Sequence, residues 1–251
     1  MSWVPACYRG QWPTLNRSVA SSPTTVLSPL GRIASLLKLS SLHVQIAQRG
    51  GAQALAISHP IDGDQNVEDT FVRFLGGRRY FLDCCKDSKL VDGIDSKGLT
   101  AADRLAIWIY SNFTSNWYQQ INNELWSGVP SVATVSFARI LNGAMSKLPA
   151  QVGSVYRGIQ SRDLDAFLAI HHYGATVAWP GFTSSTLDRS EAYAGDVLFI
   201  IQSRTGRKLG LYAHNHTERE VLFSAGTRFH ITFVEQYDDS AIIEVEEVTE
   251  T

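Results

Sequence analysis

The sequence predicts an α+β fold in which helices come first and short β-strands follow. Apolar residues recur at helical spacing between residues 100 and 147, and after Pro149 short β-prone runs are separated by glycine and aspartate. The sequence contains no βαβ repeat and no glycine-rich phosphate loop. We therefore expect a largely antiparallel, sandwich-like sheet core beside a helical segment.

The composition is that of an ordinary globular protein and argues against several kinds of partner. The chain has 251 residues, of which 44% are apolar and 18% charged, and its net charge is −2. Lysine and arginine are not gathered into runs, so the sequence offers no electrostatic footprint for nucleic acid. No stretch approaches the roughly 20 apolar residues of a membrane span, and the N-terminus does not resemble a cleavable signal peptide. We therefore expect neither a membrane span nor a cleavable signal peptide.

Neither the cysteines nor the histidines show the spacing of a metal site. Cys7, Cys84 and Cys85 are odd in number, and adjacent cysteines rarely pair with each other, so we expect reduced thiols in a cytosol. His171 and His172 have no further ligand at metal spacing. We therefore expect no metal ion.

The first 60 residues differ in amino-acid composition from the rest of the chain. Serine, threonine and proline are frequent between residues 18 and 29, and small apolar clusters near Leu36 and Val44 could form one short helix. This composition predicts a flexible leader, followed by one folded domain over residues 61–251. Two interpretations of the leader stay open: a secretion segment that a bacterial export machine or secretion chaperone recognises, and a plain disordered tail.

Residues 62–95 have a mixed pattern. Gly76 and Gly77 separate two apolar runs, which is consistent with a β-hairpin. The first run could equally begin as a helix after Asp69.

Three helices are predicted in the region that follows. Thr100 and Asp103 form a pattern close to a capping box at the start of the first helix. Glycine and proline stop the later helices. The first predicted helix starts at Thr100. The second spans residues 116–126, and the third spans residues 131–147.

After Pro149 the sequence predicts strands, interrupted by one short helix over residues 163–172 that is capped by Ser161 or Asp163. The predicted strands span residues 152–158, 176–179, 181–185, 197–202, 209–212, 221–223, 227–234 and 241–248.

Two carboxylates, Glu218 and Glu220, stand just before the apolar run of residues 221–223. If that run starts a strand, its period of two places both carboxylates on one face, where they would act on one ligand. Like charges this close destabilise each other unless a cation or a hydrogen-bond donor lies against them. A solvated strand edge is the ordinary alternative for this pattern.

Two upstream stretches favour the functional interpretation. Residues 155–158 read Val-Tyr-Arg-Gly, and residues 181–186 read Gly-Phe-Thr-Ser-Ser-Thr. Arginine, then a Ser/Thr triplet, then Glu-x-Glu before an apolar strand resembles the R-S-E class of mono-ADP-ribosyltransferases, of the bacterial toxin or effector type. The resemblance covers residues 99–248 and includes the helical segment before the arginine strand.

The resemblance implies an ADP-ribosyltransferase-like fold, in which a helical lobe lies beside two perpendicular, mostly antiparallel sheets that form a cleft for NAD. It implies that Arg157, followed by Gly158, contacts the phosphate side of NAD. It implies that Glu220 binds the ribose 2′-hydroxyl and stabilises the developing cation, and that Ser184 holds Glu220 in position.

The remaining implied cofactor contacts come from the triplet and from a loop. Ser185 and Thr186 complete the triplet, although the family usually has serine at the last position. Residues 188–196, which include Tyr193, match the loop that covers the phosphates and nicotinamide. Tyr110 and Asn122 could line the cofactor site, with core packing as the alternative.

These residue types suit the reaction. Cleavage of the N-glycosidic bond of NAD releases nicotinamide and generates an oxocarbenium-like ribose, so catalysis needs anchored phosphates and negative charge near the ribose. Arg157 offers a charged planar fork for phosphate oxygens. Glu220 offers the negative charge.

Glu218 bears on the acceptor. In the family, glutamate at this place usually accompanies arginine modification, and a carboxylate can orient a guanidinium and take up its proton. An arginine acceptor is therefore favoured, while a hydroxyl acceptor, such as a threonine of ubiquitin, stays open. The turn of residues 214–217 matches the family's turn that reads the protein substrate, so Tyr212 or His214 could touch the acceptor.

The sequence thus predicts a mono-ADP-ribosyltransferase that uses NAD as co-substrate and modifies a host protein. We expect it to be secreted by a bacterium into the host cell and to act in the host cytosol. The alternatives are an NAD glycohydrolase and a catalytically silent module that binds NAD or protein.

Overall fold

A computed structural model describes residues 67–88, 95–215, 217 and 219–249. The predicted leader over residues 1–60 and the predicted site residue Glu218 lie outside the described residues. Within them the order is helices first and strands afterwards, as the sequence predicts. The helices are α1 (Val67–Phe74), α2 (Arg78–Asp87), α3 (Ala101–Ser111), α4 (Trp117–Ser127), α5 (Val132–Ser146) and α6 (Leu164–Leu168).

The strands follow α5, and α6 lies between the first two. They are β1 (Gly153–Ile159), β2 (Thr176–Ala178), β3 (Thr183–Thr186), β4 (Val197–Ser203), β5 (Arg207–Lys208), β6 (Glu220–Phe223), β7 (Arg228–Gln236) and β8 (Ala241–Val248). Short 3-10 helices span Arg189–Glu191 and Gly210–Tyr212.

The predicted capping box at the start of α3 is confirmed. The Thr100 backbone N–H donates to Asp103 Oδ2 at 2.7 Å, and the Asp103 N–H donates to Thr100 Oγ1 at 3.2 Å. Lys147 Nζ lies 2.6 Å from Asp103 Oδ2, which links the start of α3 to the end of α5. One carboxylate therefore caps a helix and joins two helices of the lobe.

Residues 70–74 lie in α1, which begins at Val67, and residues 80–82 lie in α2, so the β-hairpin alternative is wrong and the first run is helical. The reason is the spacing of the apolar residues: Phe71 and Phe74 are both buried, and both rings pack on Phe137, with centroids 6.0 and 4.3 Å away. Residues three apart share one helical face but opposite strand faces.

The predicted strand over residues 209–212 is also wrong. Gly210 has a φ of 57°, in the left-handed region, and the chain turns there into a 3-10 helix. Leu211 is consequently 85% exposed, whereas Leu209 is buried. The sequence interpretation missed β5, which pairs with β6.

The eight strands are hydrogen-bonded in the order β2-β7-β8-β4-β1-β3-β6-β5. Neighbouring strands are antiparallel except for β4 and β8, which are parallel. β1 pairs with β4 from Gly153 to Ile159 but meets β3 through the single register pair Tyr156 with Thr186.

The core shows that this continuous sheet bends around its own interior. Val155 and Phe199, from β1 and β4, share a cluster of buried residues with Val221 and Phe223 from β6. Leu222 instead belongs to the core of the helical lobe. The strand pair β3 and β6 therefore lies between the helices and the larger half of the sheet. Among the described residues no helix is long and apolar enough to cross a membrane.

Candidate active site

The strands that carry Arg157, Ser184 and Glu220 are neighbours in the sheet. β3 lies between β1 and β6. Thr186 pairs with Glu220, and Ser184 pairs with Leu222. Strand order thus places three residues that are far apart in the sequence on adjacent strands.

Arg157 supplies a fixed positive charge where β1 meets β3. Its Nη1 donates to the backbone oxygen of Ser184 at 2.5 Å. Burial lowers the pKa of Arg157 to about 10, although Tyr110 and Glu220 act in the opposite direction. A pKa near 10 still leaves the guanidinium charged at neutral pH. An anionic group of a ligand would compensate for the desolvation of this cation.

Ser184 and Glu220 face the same side of the sheet. Directly paired residues on antiparallel strands share a face, as do residues two apart, so Ser184 is a diagonal neighbour of Glu220. Both are half-buried, whereas Ser185 and Val221, on the opposite face, are buried. This places a hydroxyl and a carboxylate together on the face of β3 and β6 that also carries Leu222.

The other two hydroxyls of the triplet make structural hydrogen bonds. Ser185 Oγ donates to the backbone oxygen of Val221 at 2.8 Å. Thr186 Oγ1 donates to Glu191 Oε2 at 3.2 Å and accepts from the Asp188 N–H at 3.3 Å. Ser185 thus links β3 to β6, and Thr186 links β3 to the loop that follows. Their contact with a cofactor stays a prediction.

Gly158 lets the loop containing Tyr193 lie directly against β1. A β-carbon on Gly158 would stand 1.7 Å from the backbone oxygen of Tyr193, and one on Gly195 would stand 1.9 Å from the backbone oxygen of Ile159. A hydrogen bond also joins the loop to the residues that follow β1: the Ser161 N–H donates to Asp196 Oδ1 at 2.6 Å. The loop predicted to cover NAD therefore packs beside the end of the arginine strand.

Tyr110 and Asn122 form a buried pair in the helical lobe next to these strands. Asn122 Nδ2 donates to the Tyr110 hydroxyl at 3.0 Å, and that hydroxyl donates to the Phe182 backbone oxygen at 3.4 Å. Burial raises the pKa of Tyr110, and both Glu220 and Arg157 are close enough to influence it electrostatically. The Tyr110–Asn122 pair therefore borders the site on the side of the helical lobe.

Arg219 is a feature that sequence analysis did not single out. It has a φ of 49°, in the left-handed region that non-glycine residues rarely adopt. Its Nη1 lies 3.7 Å from Asp188 Oδ2. Hydrogen bonds from Ser190, helped by Arg219, lower the pKa of Asp188. The pattern Glu-Arg-Glu offered a cation at this position, but no sequence pattern gave its backbone conformation or its partner.

The two residues predicted to touch the acceptor are both held by the helical lobe. Tyr212 OH donates to Asp95 Oδ2 at 2.5 Å, and burial raises the pKa of Tyr212 to about 12. The His214 ring lies between the rings of Trp108 and Phe113.

Metal-binding geometry is not found in the part of the chain that the structure describes, where no three His, Cys, Asp or Glu residues cluster suitably. His171 stacks on Phe167 with centroids 4.0 Å apart, and its Nδ1 is 3.0 Å from the Phe167 backbone oxygen. It is a histidine of the core.

Taken together, the site holds a desolvated cation on β1 and a carboxylate with a neighbouring hydroxyl on the adjacent strands. The cation suits a pyrophosphate, and the carboxylate suits a ribose that develops positive charge. These donor types fit NAD.

The comparison with known families agrees. Residues 89–251 match the family described as NAD:arginine ADP-ribosyltransferase. Tre1 of Pseudomonas putida (strain GB-1), named an NAD(+)–protein-arginine ADP-ribosyltransferase, is 30% identical over 132 residues, which are 51% of this chain and 26% of Tre1. The match thus spans about a quarter of the length of that relative.

Two solved structures share the fold. The type III effector XopAI from Xanthomonas axonopodis pv. citri superposes with a TM-score of 0.62 at 16% identity, covering 85% of this chain and 100% of XopAI. Exoenzyme S from Pseudomonas aeruginosa, solved with human 14-3-3 protein beta and carba-NAD, gives a TM-score of 0.56 at 15% identity, covering 72% of this chain and 87% of that chain. The predicted ADP-ribosyltransferase-like fold is confirmed. The chain belongs to the NAD:arginine ADP-ribosyltransferase family.

Proposed function

We propose that this chain transfers the ADP-ribosyl group of NAD to an arginine side chain of a protein and releases nicotinamide. The observation that carries the proposal is the convergence of Arg157, Ser184 and Glu220 on three adjacent strands. The family supplies the co-substrate, NAD, and the reaction class.

Each residue has a distinct task in the proposed reaction. The Arg157 guanidinium binds the pyrophosphate of NAD and holds the ribose near β6. The Glu220 carboxylate stabilises the positive charge that develops on the ribose as nicotinamide leaves with the electron pair of the broken bond. Ser184, the diagonal neighbour of Glu220, keeps that carboxylate aimed at the ribose.

The acceptor step supplies the new bond to the ribose and releases one proton. A guanidinium nitrogen of the acceptor forms the new bond to the ribose carbon that nicotinamide has left. That nitrogen loses one proton, and Glu218 is the carboxylate that we assign to receive it. The name of Tre1 and the Glu-x-Glu pattern of this chain both support arginine as the acceptor.

We further propose that a bacterium secretes this protein and that it acts on a host protein in the host cytosol. The structural likeness to XopAI, titled a type III effector, motivates this part of the proposal. Residues 1–60 would serve as the export segment, with or without a secretion chaperone, and residues 61–251 would form the catalytic domain.

The test is to incubate the full chain with NAD labelled in its adenylate part and with a eukaryotic lysate, and to map labelled side chains by mass spectrometry. We expect label on arginine with the natural protein and none with Glu220→Gln. Label on serine or threonine would overturn the arginine assignment. Nicotinamide release that adds no label to protein would indicate a glycohydrolase, and NAD binding without release would indicate a silent binding module.

A further inference from the structure

One contact between the helical lobe and the acceptor turn, residues 214–217, does not involve Arg157, Ser184 or Glu220. The ring of His214 lies between Trp108 of α3 and Phe113, which follows α3, with centroids 5.2 and 5.6 Å away. Both contacts are edge-to-face, the geometry that aromatic rings prefer. We call Trp108, Phe113 and His214 the aromatic clasp.

The backbone strengthens the same contact. The His214 N–H donates to Ser111 Oγ at 2.7 Å, and that hydroxyl donates to the Ile107 backbone oxygen at 2.9 Å. His214 is therefore held to the end of α3 through both its ring and its main chain. The preceding residue, Ala213, is buried in the core of the lobe.

Hydrogen bonding by Nδ1 of His214 does not explain why the ring lies there. Among the described residues, Nδ1 of His214 is buried and has no hydrogen-bond partner. A buried nitrogen without a partner costs free energy, so the ring is held there by its aromatic packing. The clasp thus fixes where the turn begins.

We propose that the aromatic clasp positions the acceptor turn and so controls transfer to protein more strongly than it controls cleavage of NAD. The proposal rests on the proposed function and on the family resemblance, which implies that this turn reads the protein acceptor. The clasp joins the turn to α3 from the side of Trp108 and Phe113, whereas the three residues assigned to the chemistry of NAD lie on β1, β3 and β6. Small displacements of an acceptor reduce transfer strongly, because the attacking atom must lie in line with the reacting carbon.

The experiment measures two rates with the full chain: nicotinamide release without acceptor, and ADP-ribose transfer to a protein acceptor identified from the lysate. We expect Phe113→Ala and His214→Ala to lower the ratio of transfer to release by about tenfold. His214→Phe keeps an aromatic ring in the clasp and should restore most of the ratio.

Two controls separate this role from a general loss of structure. Phe113 is 39% exposed, so its truncation should leave the melting temperature nearly unchanged. His172→Ala changes an exposed histidine outside the clasp and should leave the ratio as it is. If transfer and release fall in parallel, or if neither falls, the clasp has no positioning role. If the natural protein itself releases no nicotinamide, the proposed function fails instead.

Discussion

The strand centre of the site and the two loops around it are held in different ways. In β1, β3 and β6 the positions of the functional side chains follow from register, and buried neighbours such as Val221 and Leu222 fix the strands. The loop of residues 188–196 and the acceptor turn are held instead by side-chain hydrogen bonds, ring contacts and an ion pair, such as the Arg219–Asp188 pair at 3.7 Å. The difference suggests that the strands set the chemistry and that the loops set the choice and retention of ligands.

The largest effect should come from the strand centre. Glu220→Gln removes the negative charge opposite the developing cation but keeps the shape of the side chain. We expect transfer to fall about 10²–10⁴-fold, with little change in the melting temperature because Glu220 is half-buried. Glu235→Gln, on β7, is the matched control. Radiolabel transfer and circular dichroism check both, and substantial transfer by Glu220→Gln would contradict the assigned role.

Arg157→Lys should give the next largest effect. The change keeps the charge but removes the planar fork, so we expect NAD to bind about 10–100-fold more weakly. Arg228→Lys, at an exposed position on β7, should bind NAD normally. Titration calorimetry measures both, and equal affinity of the two variants would remove Arg157 from the NAD site.

The pKa of Arg157 adds a pH test to the same comparison. Since that pKa is lowered to about 10, NAD affinity of the natural protein should stay flat from pH 7 to about pH 9 and fall as pH rises through 10. The free energy of unfolding changes in the opposite direction and rises with pH. The unfolded arginine binds its proton more tightly than the folded one, so this group's contribution increases above pH 10.

Gly158→Ala tests the contact between the two regions. Its β-carbon would overlap the Tyr193 backbone, so the loop must move, and we expect a loss of about 1–3 kcal/mol in unfolding free energy together with weaker NAD binding. Gly143→Ala, where a β-carbon meets nothing within 4 Å, should instead stabilise α5 by about 0.5–1 kcal/mol. Chemical denaturation measures both, and equal effects would refute the close packing.

Thr186→Val should have a smaller effect on the loop. It removes the hydroxyl that joins Glu191 and the Asp188 N–H, at a cost of about 0.5–1.5 kcal/mol in unfolding free energy, because both partners are only half-buried and can bind water instead. Thr186→Ser keeps the hydroxyl and should restore most of the loss. If the valine variant unfolds at the same denaturant concentration as the natural protein, these hydrogen bonds do not hold the loop.

Arg219→Gln should have the smallest effect. The ion pair with Asp188 is long and exposed, so we expect transfer to change by less than about twofold. Any difference from the natural protein should vanish at high salt, since exposed pairs are screened. A larger change that persists in salt would show that Arg219 acts on a ligand.

The sequence predicted the strand centre better than the loops. The strands predicted over residues 152–158 and 221–223 are β1 and β6, each located to within one residue at either end. The signals for strands are local, so one sequence carries them. The resemblance supplied the roles of the residues, and strand order supplied their convergence.

The loops could not be predicted because their contacts come from distant residues and unusual backbone angles. The overlap of Gly158 with Tyr193 depends on a loop more than thirty residues further along the chain. The expectation that Glu218 and Glu220 share a strand face assumed alternation through residue 219. Arg219 has left-handed backbone, and β6 begins only at Glu220, so the orientation of Glu218 stays a prediction.

A crystal structure of the full chain with carba-NAD would show whether NAD binds where β1, β3 and β6 meet. We expect the pyrophosphate to lie within hydrogen-bond distance of the Arg157 guanidinium and the nicotinamide ribose to lie against Glu220, beside Ser184. A well-ordered carba-NAD molecule bound away from β1, β3 and β6 would contradict this expectation.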